Sequence, residues 1–200
     1  MSPSAPETTD ALRPEAFGPE GDPARHLPHA ELEARLRALP AAPRDAGRVA
    51  LLVRRRADGL RETPERARLS PEEGLDGDGW SRRPPRDPEG QLAVMQHDVA
   101  ALIANGQPLD VFGDNLLVEL DLSAANLPVG TRLRVGGAAV VVTPKPHDGC
   151  LKFKRRFGAD ALRLVAARPT RPRNLRGIYW RVVEAGEVAV GDPVEVLARP

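Results

Sequence analysis

From Gly47 onward the chain alternates short apolar runs with turn residues, the texture of strands joined by tight turns. Val49–Val53 is uniformly apolar and predicts a strand covered on both faces. Gln91–Gln96, Asn115–Leu120, Thr131–Val135, Ala138–Val142, Ile178–Val183, Val188–Val190 and Val194–Leu197 predict further strands. Gly136-Gly137 is placed to turn the hairpin between two of them. Helical spacing is sparser. Leu32, Leu36 and Leu39 share one face over residues 29–39, and Pro40 and Pro43 stop that helix. His97–Asn105 predicts a second helix, ended by Gly106. Cys150–Val165 mixes helical spacing with charge. Residues 56–90 read as a long irregular excursion. Residues 1–28 carry six prolines among small and acidic residues, and this composition predicts a flexible leader.

One pattern occurs twice. Val129-Gly130-Thr131-Arg132-Leu133-Arg134-Val135 and Val190-Gly191-Asp192-Pro193-Val194-Glu195-Val196 both set a glycine turn before an alternating strand. Such an echo marks successive corners of a small barrel, or merely two hairpin strands of ordinary form. With many strands, few helices and no βαβ rhythm, the expected fold is mainly β (α+β): a barrel with short helical insertions. Residues 1–45 are expected to form the leader and short helix, and residues 46–198 the barrel domain.

Composition narrows the class of function. The 29 basic and 28 acidic residues nearly cancel, so no bulk charge points to nucleic acid or to a membrane surface. Aromatics make up 4% of the chain, too few for a platform that stacks single-stranded bases. One cysteine excludes an intramolecular disulfide, a zinc ribbon and an iron–sulfur cluster held by this chain's cysteines. No apolar run approaches the ~20 residues of a membrane span, and the N-terminus lacks a signal-like apolar core. The expected location is cytoplasmic, where a free thiol stays reduced.

Candidate chemistry gathers at Thr143–Gly158. Lys145, Lys152, Lys154, Arg155 and Arg156 lie within six residues of Cys150, and His147 lies three before it. Cationic neighbours favour a thiolate, which is both a nucleophile and a soft metal ligand. A lone cysteine is also commonly a small buried hydrophobe, so both readings stand. A second cluster, Arg168, Arg171, Arg173 and Arg176 among prolines, suits phosphate oxygens if the prolines hold the loop extended. A solvated basic loop explains it equally. Asp114 and Asn115 sit at a strand mouth, as ligand contacts or as turn caps. Gly74–Trp80 has the composition of a calcium loop without its completing glutamate, and reads as a turn presenting Asp78 and Trp80.

These pieces, in this order, resemble the MOSC family, named for the C-terminal domain of molybdenum cofactor sulfurase. The resemblance rests on G-L-D-G-D at 74–78, F-G-D-N-L at 112–116, P-V-G at 128–130 and G-C-x-K-F-x-x-R-F-G at 149–158. It continues with L-R-G-I-Y at 175–179 and G-E-V-x-V-G-D-P-V at 186–194. It implies a β-barrel similar to the barrel domain of pyruvate kinase. It implies binding of the molybdenum cofactor (molybdopterin), with Cys150 as molybdenum ligand or persulfide carrier in oxygen-atom or sulfur transfer. Relatives include a mitochondrial component that reduces N-hydroxylated compounds. Lys152, Lys154, Arg156, Arg171, Arg173 and Arg176 become candidates for the pterin phosphate, with Asn115 and His147 beside them. The alternative is a non-catalytic carrier of cofactor or sulfane sulfur for a partner enzyme. Pyridoxal phosphate would enter only through a separate cysteine desulfurase, since no domain for it is expected here. A redox protein is the other expected partner. Trp180 stands where relatives often carry a small residue, and is expected either to narrow a pocket mouth or to fill an outer face.

Overall fold

The protein is described by a computed structural model over residues 18–82 and 84–200. Seven strands close a barrel: β1 (Ala46–Leu52), β6 (Leu92–Gln96), β7 (Leu116–Val118), β8 (Arg132–Val135), β9 (Ala138–Val142), β10 (Ile178–Glu184) and β12 (Pro193–Ala198). Around the barrel the order is β1-β12-β8-β9-β10-β6-β7. Each neighbouring pair is antiparallel except β6 and β7, which run parallel with Val94 opposite Leu116. Helix α3 (His97–Ala104) supplies the crossover that this parallel pair needs.

The echoed segments are β8 and β12. They pair directly, Val135 against Val194 and Leu133 against Val196. Both launching glycines, Gly130 and Gly191, hold φ of 91°, a conformation that L side chains disfavour.

Helices α1 (His29–Ala38), α3 and α4 (Leu151–Ala166) cover one side of the barrel. This explains which strands are apolar throughout. On β6, Leu92 and Val94 point into the barrel while Met95 joins the helical layer. On β7, Leu116 and Val118 point inward and Leu117 outward. β1 shares this arrangement: Val49 and Leu52 face inward, and Leu51 packs on the helical layer with Val53 just beyond the strand. A register shift between Val49 and Leu51 re-aims the strand. By contrast β8 and β10 alternate buried with exposed positions, because their outer face meets water.

The excursion at 56–90 is more ordered than its composition predicts. It carries β3 (Arg61–Glu62), which pairs with β2 (Arg54–Arg55), and β4 (Arg66–Ser70), which pairs with β5 (Gly74–Leu75) and β11 (Gly186–Ala189). Alternation in Arg66–Ser70 buries Ala67 and Leu69, a signal masked by flanking arginines. A one-turn helix, α2 (Gly79–Arg82), follows. Trp180 neither narrows a pocket mouth nor fills an outer face. It lies in the barrel interior with no exposed surface, since the β10 register sets its side chain inward.

Of the expected leader, residues 1–17 lie outside the described residues. From Gly18 the chain lies against Arg61 and Arg156, and Pro23–Arg25 forms a 3-10 turn capped by Asp22. Among the described residues no helix is long and apolar enough to cross a membrane.

Candidate functional site

A cleft of about 260 Å³ lies on the outer face of the barrel, over Ala93 of β6 and Tyr179 of β10, which pair directly. The loops that precede β7 and β10 and the residues that follow β1 flank it. Its walls include Arg55, Arg61, Lys152, Arg156 and Arg176 against one acidic lining residue, Asp148.

Two of these cations are anchored by carboxylates behind the wall. Asp78 accepts from the Arg55 backbone N–H at 2.8 Å and from its Nε at 3.0 Å, and also from its Nη2. Burial pushes the Asp78 carboxyl up, but the Arg55 charge and hydrogen bonds outweigh it and hold the pKa at about 2. Asp78 has no exposed surface, so the turn does not present it to solvent as its composition suggests; it orients Arg55 instead. Asp114, likewise fully buried, accepts from Arg176 Nη1 at 2.9 and 2.8 Å. Burial pushes Asp114 up, with Arg176 the main opposing charge. The Arg176 guanidinium also lies 5.3 Å from the Phe153 ring centroid.

Gly177 fixes where Arg176 can stand. Its φ is +101°, and a Cβ there would lie 2.1 Å from the Val94 carbonyl oxygen. The backbone at Gly177 must therefore approach β6 more closely than any other residue permits.

Cys150 is exposed and lines the cleft. It is the N-cap residue of α4, in extended conformation. That helix breaks at Gly158 (φ 91°, ψ 166°), leaving a short first segment and hence a short aligned dipole behind the thiol. Burial, then the charge of Arg176, lowers the Arg156 pKa, with Cys150 a smaller opposing influence.

His147 sits deeper. Its side chain is 6% exposed, its Nδ1 lies 3.6 Å from Asp114, and its ring packs 4.3 Å from that of Tyr179. Burial, then the charges of Arg176 and Arg55, hold the imidazole well below its ordinary pKa, so it is neutral. Burial, then Asp114, raises the Tyr179 phenol. His147 Nδ1 and Arg176 Nε are buried without a hydrogen-bond partner among the described residues. Both belong to lining residues, and orphaned polar atoms in a cleft wall suit a polar occupant.

The structure thus brings Cys150, His147, Lys152, Arg156 and Arg176 to one cleft. Arg156 already donates Nε to Pro19 O and Nη1 to Phe112 O, each at 3.1 Å. Lys154, Arg171 and Arg173 are exposed and do not line the cleft. The prolines do not keep the arginine loop extended. Arg171–Arg173 turns as a 3-10 helix, because proline at the second position is compatible with helical φ. Asn115 lies beneath the cleft. Its side chain accepts from Ala93 N–H at 3.1 Å and donates to Val53 O at 3.4 Å, tying three strand ends together. Arg55, Arg61 and Tyr179 join the site without having been singled out as site residues. Tyr179 closes the L-R-G-I-Y piece of the resemblance, and the run of arginines at 54–56 after the first strand is a local signal that could have pointed to Arg55.

The fold and cleft define a small barrel protein with an exposed thiol set among anchored cations. The chain belongs to the MOSC domain family, whose model matches residues 90–195. It is 33% identical over 88 residues to the uncharacterized protein YflK of Bacillus subtilis (strain 168), a match covering 44% of this chain and 37% of that protein. The match thus spans well under two thirds of that relative's length. Among solved structures, the YuaD protein from Bacillus subtilis aligns with TM-score 0.58 and 18% identity, covering 78% of this chain and 98% of that one. YiiM from Escherichia coli aligns with TM-score 0.51 and 22% identity, over 76% of this chain and 71% of that one. At these identities the likeness is one of fold. The family model ties the chain to the domain that is named for molybdenum cofactor sulfurase.

Proposed function

We propose that the cleft binds the molybdenum cofactor, with Cys150 as metal ligand or persulfide carrier in oxygen-atom or sulfur transfer. The observation that carries this reading is an exposed thiol lining the same cleft as five cationic side chains. Among the described residues no three His, Cys, Asp or Glu side chains converge to hold a metal. A metal at Cys150 must then bring most of its ligands with it, as a metal held by an organic dithiolene does. When bound, that group supplies the metal centre for atom transfer. The protein's part is charge, orientation and exclusion of water.

Arg176, Lys152, Arg156 and Arg61 are the cations we assign to the cofactor's phosphate. Arg55 and Arg176 are ordered in advance by Asp78 and Asp114, so little side-chain freedom is lost on binding. Phe112 stacks on Phe157 at 4.0 Å and forms the dry floor near Cys150. His147, neutral and buried, offers a hydrogen bond without adding charge.

The test is molybdenum and phosphorus content, with intact mass, on protein made in a host that synthesises the cofactor. Metal retained by the wild type and lost in Cys150→Ser supports a metal ligand. A +32 Da adduct on Cys150 without metal supports a persulfide carrier, for which a pyridoxal-phosphate cysteine desulfurase is the class of partner that loads sulfur. Equal metal in both proteins and no adduct would sink the reading. Turnover of an N-hydroxylated compound with an artificial electron donor separates catalysis from a carrier role.

A further inference from the structure

The segment Gly18–Asp22 lies outside the residues matched by the family model, yet it touches the cleft wall. Pro19 O accepts from Arg156 Nε at 3.1 Å. Asp22 N–H donates to Gln107 Oε1 at 2.8 Å, and Gln107 Nε2 in turn donates to Arg156 O at 3.2 Å. His26 Nε2 meets the same carbonyl at 3.1 Å. Two glycines permit the contact. A Cβ at Gly21 would lie 2.0 Å from Arg156 O, and one at Gly18 would lie 2.1 Å from the Arg61 guanidinium. Gly18 also holds φ of +63°. The Arg156 guanidinium is thereby stretched between Pro19 O on the strap and Phe112 O at the end of the 3-10 turn before β7.

We infer that Gly18–Asp22 is a positioning strap that completes the cleft. It fixes Arg156 and covers Arg61, and so sets the affinity of the cleft for phosphate-bearing ligands. The carbonyl of Pro19 takes one guanidinium donor, which locks the plane of Arg156. Gln107, which does not line the cleft, ties strap and helix together from behind. The inference rests on the anion-binding reading given above.

The probe is inorganic pyrophosphate, measured by calorimetry on the full chain, beside phenylglyoxal labelling of Arg156 followed by peptide mass. Gly21→Val drives a side chain into the Arg156 carbonyl. Gln107→Met removes the tie at similar volume and is the milder variant. Both are expected to label Arg156 about tenfold faster and to bind pyrophosphate about tenfold more weakly, the effect of losing one charge-assisted hydrogen bond. Wild-type labelling and wild-type affinity in both variants would overturn the inference. Arg176→Met reports separately on the underlying reading. Unchanged pyrophosphate binding in that variant would sink the cleft as an anion site, while Arg156 labelling would still decide the strap.

Discussion

Arg176 Nη1 lies 2.9 and 2.8 Å from the two oxygens of Asp114, a carboxylate with no exposed surface. Arg176 lines the cleft and Asp114 stands behind it, with the His147 side chain beside the same carboxylate. Removing one partner of a buried pair leaves the other charge uncompensated. Asp114→Asn is therefore expected to cost about 3–5 kcal/mol in urea unfolding. The double variant Asp114→Asn/Arg176→Met should cost less than the sum of the two singles. Additivity would show that the two residues act independently.

Asp78 makes a pH prediction. Its pKa falls from an ordinary 3.8 to about 2 in the folded protein because Arg55 stabilises its charged form. A depressed acid contributes stability that is present above pH 3.8 and is lost as pH falls through about 2. The contribution is roughly 2 kcal/mol at 1.36 kcal/mol per unit. Asp78→Asn should be less stable than wild type at pH 6, and the gap should shrink by about that amount at pH 2, as read from urea midpoints.

His147 acts at higher pH with its own sign. Its folded pKa lies well below 6.5, so near pH 7 and above both folded and unfolded forms are neutral. Below 6.5 the unfolded chain takes up a proton that the folded ring refuses, and stability falls. Between pH 6.5 and 5.5 the wild type should lose roughly 1 kcal/mol that His147→Gln does not lose. A ring that titrates near 6.5 by NMR in the folded protein would contradict this.

Trp180 fills the barrel interior, but its indole Nε1 has no hydrogen-bond partner among the described residues. Trp180→Ala leaves a cavity and should cost about 3–5 kcal/mol. Trp180→Phe removes some apolar area together with the unsatisfied donor. These terms oppose, so the expected change is within about 1 kcal/mol. A large loss in Trp180→Phe would show that the N–H is satisfied after all.

Gly177 joins the fold to the site. Gly177→Ala would set a Cβ 2.1 Å from Val94 O at a φ of +101°, disturbing the β6–β10 pairing that begins beside Arg176. Strain of this kind costs about 1–3 kcal/mol, and the clash adds to it. Circular dichroism melts should show the loss, and pyrophosphate affinity should fall with it.

Much of the architecture was legible in the chain itself. Period-two alternation marked β8 and β12, because their outer faces meet water and only every second side chain is buried. The repeated V-G turn marked two strands that prove to be barrel neighbours. The uninterrupted apolar run at Val49–Val53 announced cover on both sides, which the helical layer supplies. The Cys150 segment stood out because its cations crowd around one thiol within a few residues.

The rest depended on packing. Lys154, Arg171 and Arg173 look equivalent in sequence to Lys152 and Arg176, yet they face water. Helical and turn geometry, not composition, selects which side of a segment faces the cleft. Asp78, apparently a loop residue, became a buried anchor once β2 brought Arg55 beside it. Arg55 and Arg61 come from the first third of the chain and Cys150 from the last, and only the tertiary fold sets them around one cleft. Local periodicity reports how each element meets water. It carries no record of which distant element will share that surface, so the strands and the thiol were determined by the sequence, and the cationic wall around it by the tertiary fold.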